Sequence, residues 1–230
     1  MFVSIPTHAR PALRWATPLL FAALWLAYLW ASTRPELAQQ RLMTGWGALS
    51  GGVAVADLLQ AWSDGERWLR LLTALFLHAD WAHLLGNLVF LLIFGLPAER
   101  VMGPWRFLLL FLLGGAFANF IAVLAIGAPD RLVIGASGAV SALIGAYLAL
   151  FPRARLGVVL PLGLFLEFVR APASLLIGLW AALQVVFAYI GPAFGAVAWW
   201  AHIGGFAFGI AFALLSRRGI ARRLRKRQGY

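Results

Sequence analysis

Long apolar runs set the limits on what this chain can fold into. Several approach or exceed about 18 residues, the length that crosses a bilayer. Backbone buried in lipid must satisfy its own hydrogen bonds, so runs of this kind become helices. The expected fold is all-α: a polytopic membrane protein with six transmembrane helices in a compact bundle. The spans are expected at about 13–31, 81–97, 105–126, 136–151, 172–190 and 199–216. Composition agrees, since the chain is 63% hydrophobic and only 12% charged. Soluble domains are nearer half apolar and about a quarter charged. There is no cysteine, which excludes disulfides and thiolate metal sites. The first apolar stretch begins near Pro11 and is long enough to span, so it does not read as a cleavable leader.

The connections are uneven. Residues 1–12 form a short tail. Residues 32–80 are a long mixed segment containing Gly45, Gly47, Gly51 and Gly52, with Trp46, Trp62 and Trp68. Tryptophan favours the membrane interface, so this segment reads as a folded interfacial loop. Residues 156–170 are apolar but carry Pro161, Gly163 and Glu167, and read as an interfacial stretch rather than a span. The fourth span is short, about 25 Å at about 1.5 Å per residue, so its N-terminus is expected below the membrane surface. Residues 191–198 form a short loop with Gly191 and Gly195. Residues 217–230 form a basic tail.

Six spans place both termini on one side, and charge tests this arrangement. On the termini side lie Arg10, Arg14, Arg100, Arg106, Arg153, Arg155, Arg170 and seven basic residues from Arg217 to Arg227, 14 in all. The other side has Arg34, Arg41, Arg67, Arg70 and Arg131, which makes 5. Positive charge collects in the cytoplasm, so both termini are expected there. The 32–80 loop and the start of the fourth span then face outward. The net charge of +11 has a sufficient source in topology and in attraction to anionic lipid, which argues against nucleic acid as a partner.

Polar side chains within spans are costly, and three sets stand out. His83 and Asn87 are four residues apart and share one face of the second span, with His78 just before it at the water boundary. Ser137, Ser141 and Gly145 share a face of the fourth span, and Gly135 and Gly138 clear the space around the Ser137 hydroxyl. His202, Gly205 and Gly209 form a face of the sixth. Two small-residue stripes can pack closely, which would bring His202 against Ser137. Each set alone also reads as a helix-packing seam or an interhelical hydrogen bond. Together they supply a nucleophile, a base and amide or imidazole donors, the parts of an acyl-transfer site.

These motifs resemble those of the rhomboid intramembrane serine proteases, bacterial type, over roughly residues 60–216. The resemblance rests on His78-x4-His83-x3-Asn87, on Gly135-Ala136-Ser137-Gly138 and on Ala201-His202-Ile203-Gly204-Gly205-x3-Gly209. Glu99-x3-Gly103 and Arg70 in Trp68-Leu69-Arg70 are also similar, although the family usually has Trp-Arg without an intervening residue. The resemblance implies a Ser137–His202 dyad without an acidic third member, and Asp130 is the only carboxylate close to Ser137 in sequence. It implies an oxyanion hole from His83, Asn87 and the Ser137 backbone N–H, with no cofactor and no metal. Some relatives carry a tyrosine at the Ser141 position that stacks on the histidine. Its absence leaves His202 needing another wall, Phe206 or Trp200. The implied substrates are transmembrane proteins in the lipid bilayer, cut near the outer end of a helix. The implied setting is a bacterial inner membrane with the site opening outward, and with the fifth span and the 191–198 loop as gate and lid.

The main competing reading is a non-catalytic relative, a membrane chaperone or adaptor that binds transmembrane helices. It predicts a missing serine or histidine, and both are present. A solute transporter would show internal repeats, which are not evident. A membrane metalloprotease would show His-Glu-x-x-His, which is absent.

Overall fold

The computed structural model describes residues 14–50, 65–126, 131–162, 165–190 and 198–228. Helix α1 spans Ala16–Ser32 and α2 Glu36–Trp46, followed by a short strand β1, Ala48–Leu49. Helix α3 is Gly65–Thr73, and a single 3-10 turn follows at Ala74–Phe76. Helix α4 runs Trp81–Met102 and α5 Pro104–Ala125. Strand β2 (Leu132–Val133) precedes helix α6, Ser137–Leu150. Strands β3 (Arg155–Leu162) and β4 (Phe165–Pro172) lead into α7, Ala173–Ile190, and α8, Trp199–Gln228.

Among the described residues, four helices are long and apolar enough to cross a membrane: α4, α5, α7 and the Trp199–Lys226 part of α8. The other two expected spans, α1 and α6, are apolar helices of 17 and 14 residues. Helix α6 lies at the centre. Every residue from Gly138 to Tyr147 is buried, as expected for a helix that is apolar all round. It packs most extensively on α8 and then on α5. Leucines and valines on α4, α5 and α7, such as Val89, Leu109 and Leu179, face outward.

Three differences from the expected pattern have physical reasons. The second span does not stop at Pro97. A π turn at Leu91–Gly95 widens the helix, Pro97 opens the next segment, and the helix continues to Met102. A proline tolerated at the start of a helical segment would break its interior. This extension places Glu99 fully inside the bundle, where its carboxyl oxygens accept the N–H groups of Trp15, Ala16 and Thr17, each at 2.9 Å. It thereby caps the N-terminus of α1.

The 156–170 stretch is an antiparallel hairpin, paired from Arg155↔Pro172 to Leu162↔Phe165. The all-α expectation therefore needs this sheet and the β1–β2 pair added to a helical bundle. Valines and phenylalanines suit a strand, and a short apolar run does not reveal its period. The basic tail is not separate from the last span, since α8 continues through it to Gln228. Arginine is a good helix former. On the way Arg223 covers Gly103 and donates from Nη1 to the Arg100 carbonyl at 3.5 Å.

Candidate active site

Ser137 is the first residue of α6. The backbone leading to it is fixed from two directions. Gly135 has φ +109, a conformation that favours glycine, and its N–H donates to the Ala74 carbonyl at 2.9 Å. Upstream, β2 pairs with β1, Ala48↔Val133 and Leu49↔Leu132, so the loop before the serine is laced to the 32–80 segment. Ser50 extends the pairing, donating its N–H to the Arg131 carbonyl and accepting the Arg131 N–H on its hydroxyl.

His202 sits in the first turn of α8. Below it, Gly205 lies against the Gly138 carbonyl and Gly209 against the Ala142 carbonyl, while Gly145 of α6 lies against the Phe206 carbonyl. A Cβ at any of the three would collide with backbone. This close crossing brings the ends of the two helices together, and His202 Nε2 lies 3.0 Å from Ser137 Oγ. The pair is 65 residues apart in sequence, so the contact is made by the fold.

The second ring nitrogen of His202 has a partner that sequence reasoning missed. Nδ1 lies 2.7 Å from Oε1 of Gln184, a buried residue of α7. The expected wall also differs. Trp199 stands edge-on to the imidazole at 5.9 Å, while Phe206 pairs with Trp180 and Trp200 with Tyr189. Ser141 does not reach the histidine, because its hydroxyl donates back to the Ser137 carbonyl at 2.7 Å. One signal could have revealed Gln184: it is an uncharged amide within an apolar span, the same kind of anomaly that marked Asn87. Asn119, also passed over, is a buried tie from α5 to the Leu71 carbonyl.

The donors expected for an oxyanion surround the serine loop. Asp80 caps α4 by accepting the His83 N–H at 2.8 Å, and the His83 ring lies in the space that a side chain at Gly135 would fill. Asn87 Nδ2 lies 3.0 Å from His78 Nε2, and the Ala136 N–H donates to the same nitrogen at 3.4 Å. A nitrogen that accepts twice carries no proton, so His78 is protonated on Nδ1. Burial first, and then the neighbouring His83, push His78 down to about 4, which keeps it a neutral acceptor. An amide nitrogen has two hydrogens, so Asn87 retains one for a ligand while His78 fixes the other. Among the described residues, no cluster of three or more His, Cys, Asp or Glu is placed to hold a metal ion. Of the expected lid, residues 191–197 lie outside the described residues, as do residues 127–130 of the loop before Ser137.

The family model for the Rhomboid domain matches residues 65–219, which include His78, His83, Asn87, Ser137, Gln184 and His202. The chain belongs to the rhomboid family. It is 40% identical over 86 residues to the putative rhomboid protease YdcA of Bacillus subtilis, covering 37% of this chain and 42% of that protein. It is 34% identical over 126 residues to the rhomboid protease GluP of the same organism, covering 51% of this chain and 24% of that protein. RHOMBOID-like protein 5 of Arabidopsis thaliana is 34% identical over 86 residues, covering 37% and 28%. The chain thus spans less than half the length of these curated relatives. At the level of the family, it is a multi-pass membrane protein of a rhomboid type that includes proteases.

Proposed function

We propose that this rhomboid chain is an intramembrane serine endopeptidase that cuts transmembrane protein substrates in or near their membrane segments. The observation that carries the reading is the 3.0 Å contact between Ser137 Oγ and His202 Nε2. In this mechanism the Ser137 hydroxyl gives its proton to Nε2 as Oγ attacks the peptide carbonyl, and the imidazolium then protonates the leaving amine. The oxyanion is held by the Ser137 backbone N–H, His83 and the free hydrogen of Asn87. Each such donor is worth about 2.7–4 kcal/mol in the transition state. A second turn of the same histidine activates the water that releases the acyl group.

The rest of the arrangement follows from the same reading. Six spans, with α1 and α6 counted, place both termini in the cytoplasm and open the site outward. Helix α6, about 21 Å long at about 1.5 Å per residue, is shorter than the hydrocarbon layer of about 30 Å. Ser137 therefore sits below the outer surface, in a wet cavity lined by His78, His83 and Asn87. Helix α7 and the 191–198 loop act as gate and lid.

The test is cleavage of a single-span substrate by purified protein in liposomes, beside Ser137→Ala and His202→Ala, with a chelator control. Cutting by wild type alone, indifferent to chelator, supports the proposal. Cutting that survives both substitutions removes it. Binding of the substrate by all forms, with no cutting and no labelling of Ser137 by a fluorophosphonate, would favour the adaptor reading instead.

A further inference from the structure

We infer that Gln184 is a positioning residue for His202, acting from α7 to fix the tautomer and the orientation of the base. This rests on the proposed protease reading for its kinetic consequence, but not for its structural one. A general base needs an unprotonated nitrogen facing the nucleophile. A neutral imidazole has one protonated nitrogen and one bare nitrogen, and the partner of the far nitrogen decides which is which. Gln184 offers its carbonyl oxygen, Oε1, to Nδ1 at 2.7 Å. That oxygen only accepts, so the proton must sit on Nδ1. Nε2 is then bare and accepts from Ser137 Oγ at 3.0 Å. Both contacts are satisfied by a single tautomer, and it is the productive one.

The surroundings make the glutamine the source of this order. Ser141 is engaged on the Ser137 carbonyl, and Trp199 meets the ring edge-on and provides no stacked face. Ser137 and Gln184 therefore hold the two ring nitrogens, and with the Cβ attachment they fix the plane of the imidazole. The titratable groups of the site on the neighbouring elements are His83 on α4, His78 before it, and Asp80, which caps α4. Gln184 itself is 7% exposed, and leaving a buried amide in an apolar span without such a bond would be unfavourable. The helix that carries it is the loosest of the long ones: Leu175, Leu179, Val186 and Tyr189 all face outward, and Ile177, Gln184 and Ala188 form its buried face. The orientation of the base thus depends on where α7 stands.

The test uses the full chain in detergent, with 15N-labelled histidine and with His202→Gln to assign the signal. Wild type is expected to show His202 neutral with the proton on Nδ1, and Gln184→Leu to show a mixture of tautomers. In cleavage, Gln184→Leu is expected to lower kcat about 10- to 100-fold at unchanged KM, a share of the roughly 10²–10⁴ that a general base supplies. Gln184→Glu keeps an acceptor at the same place. It is expected to recover most of the rate and to move the acidic limb of the kcat profile upward, since a carboxylate favours the charged ring. If the glutamine were merely structural, Gln184→Leu would change thermal stability and leave the tautomer and the pH profile alone. A wild-type spectrum with the proton on Nε2, or a folded Gln184→Leu with unchanged kcat and tautomer, would overturn the inference. If wild type does not cleave at all, the protease reading fails separately, and the tautomer still decides the role of Gln184.

Discussion

Along the crossing of α6 and α8, backbone meets backbone. Gly205 and Gly209 rest on the carbonyls of Gly138 and Ala142, and Gly145 rests on that of Phe206. Along α7, side chains face outward and Gly178 has open space around it. The first region cannot give by even the width of a methyl group. The second has room for substitution and for displacement. On the proposed protease reading, the nucleophile Ser137 and the base His202 belong to the rigid region, and Gln184, inferred to steady the base, belongs to the other. On that reading the geometry of attack and its control are held by separate parts of the bundle.

One substitution made in both places tests the contrast most directly. Gly209→Ala drives a Cβ into the Ala142 carbonyl. It should abolish cleavage and remove about 2–3 kcal/mol of stability, read by thermal unfolding and substrate cutting. Survival of both would mean that the crossing is not rigid. Helix α4 is a third case, with a polar face tied by hydrogen bonds. Asn87→Ala should leave the fold intact and lower kcat by about 10²–10³, measured in the cleavage assay. Unchanged kcat would remove Asn87 from the oxyanion hole.

The same face should also be the acid-sensitive part of the molecule. His78 titrates near 4 in the folded chain, against 6.5 for a free histidine. The unfolded chain takes up this proton first, so stability should fall as pH drops from about 6.5 to about 4, by up to roughly 3 kcal/mol, and level off below. Unfolding midpoints of wild type and His78→Gln across that window check this, with the variant showing the flatter dependence. The smallest effect belongs to α7. Gly178→Ala meets no neighbour and should raise stability by a few tenths to about 1 kcal/mol, as glycine-to-alanine changes in helices do. Destabilisation there would show that α7 is packed more closely than its surroundings indicate.

Much of this contrast was legible in the sequence. Residues spaced three, four and seven apart declare a helix face, so the serine and histidine faces and their glycine stripes could be matched before any coordinates. Gln184 was not matched because it is the one polar residue on its face, and its neighbours at three and four residues, Ala181 and Ala188, read as ordinary packing. The hairpin was half legible: Pro161, Gly163 and Glu167 excluded a span, but alternation gives no signal where both faces of a ribbon are apolar. The continuation of α8 was hidden by charge, since arginines end a membrane span without ending a helix. The extension of α4 past Pro97 depends on a π turn, which has no residue signature of its own.

The carboxyl of Glu99 has a consequence for how the protein can be divided. The family match begins at Gly65, and a cut there has the look of a natural seam. Three N–H groups from Trp15 to Thr17 cross that line to one fully buried side chain. A chain beginning at Gly65 would leave that side chain stranded in an apolar interior, a loss of about 3–5 kcal/mol if it is charged there. The indivisible unit is therefore larger than the recognisable one, and a co-expressed 1–64 segment should be retained by the remainder through Glu99, the core packing of α1 and the β1–β2 pairing.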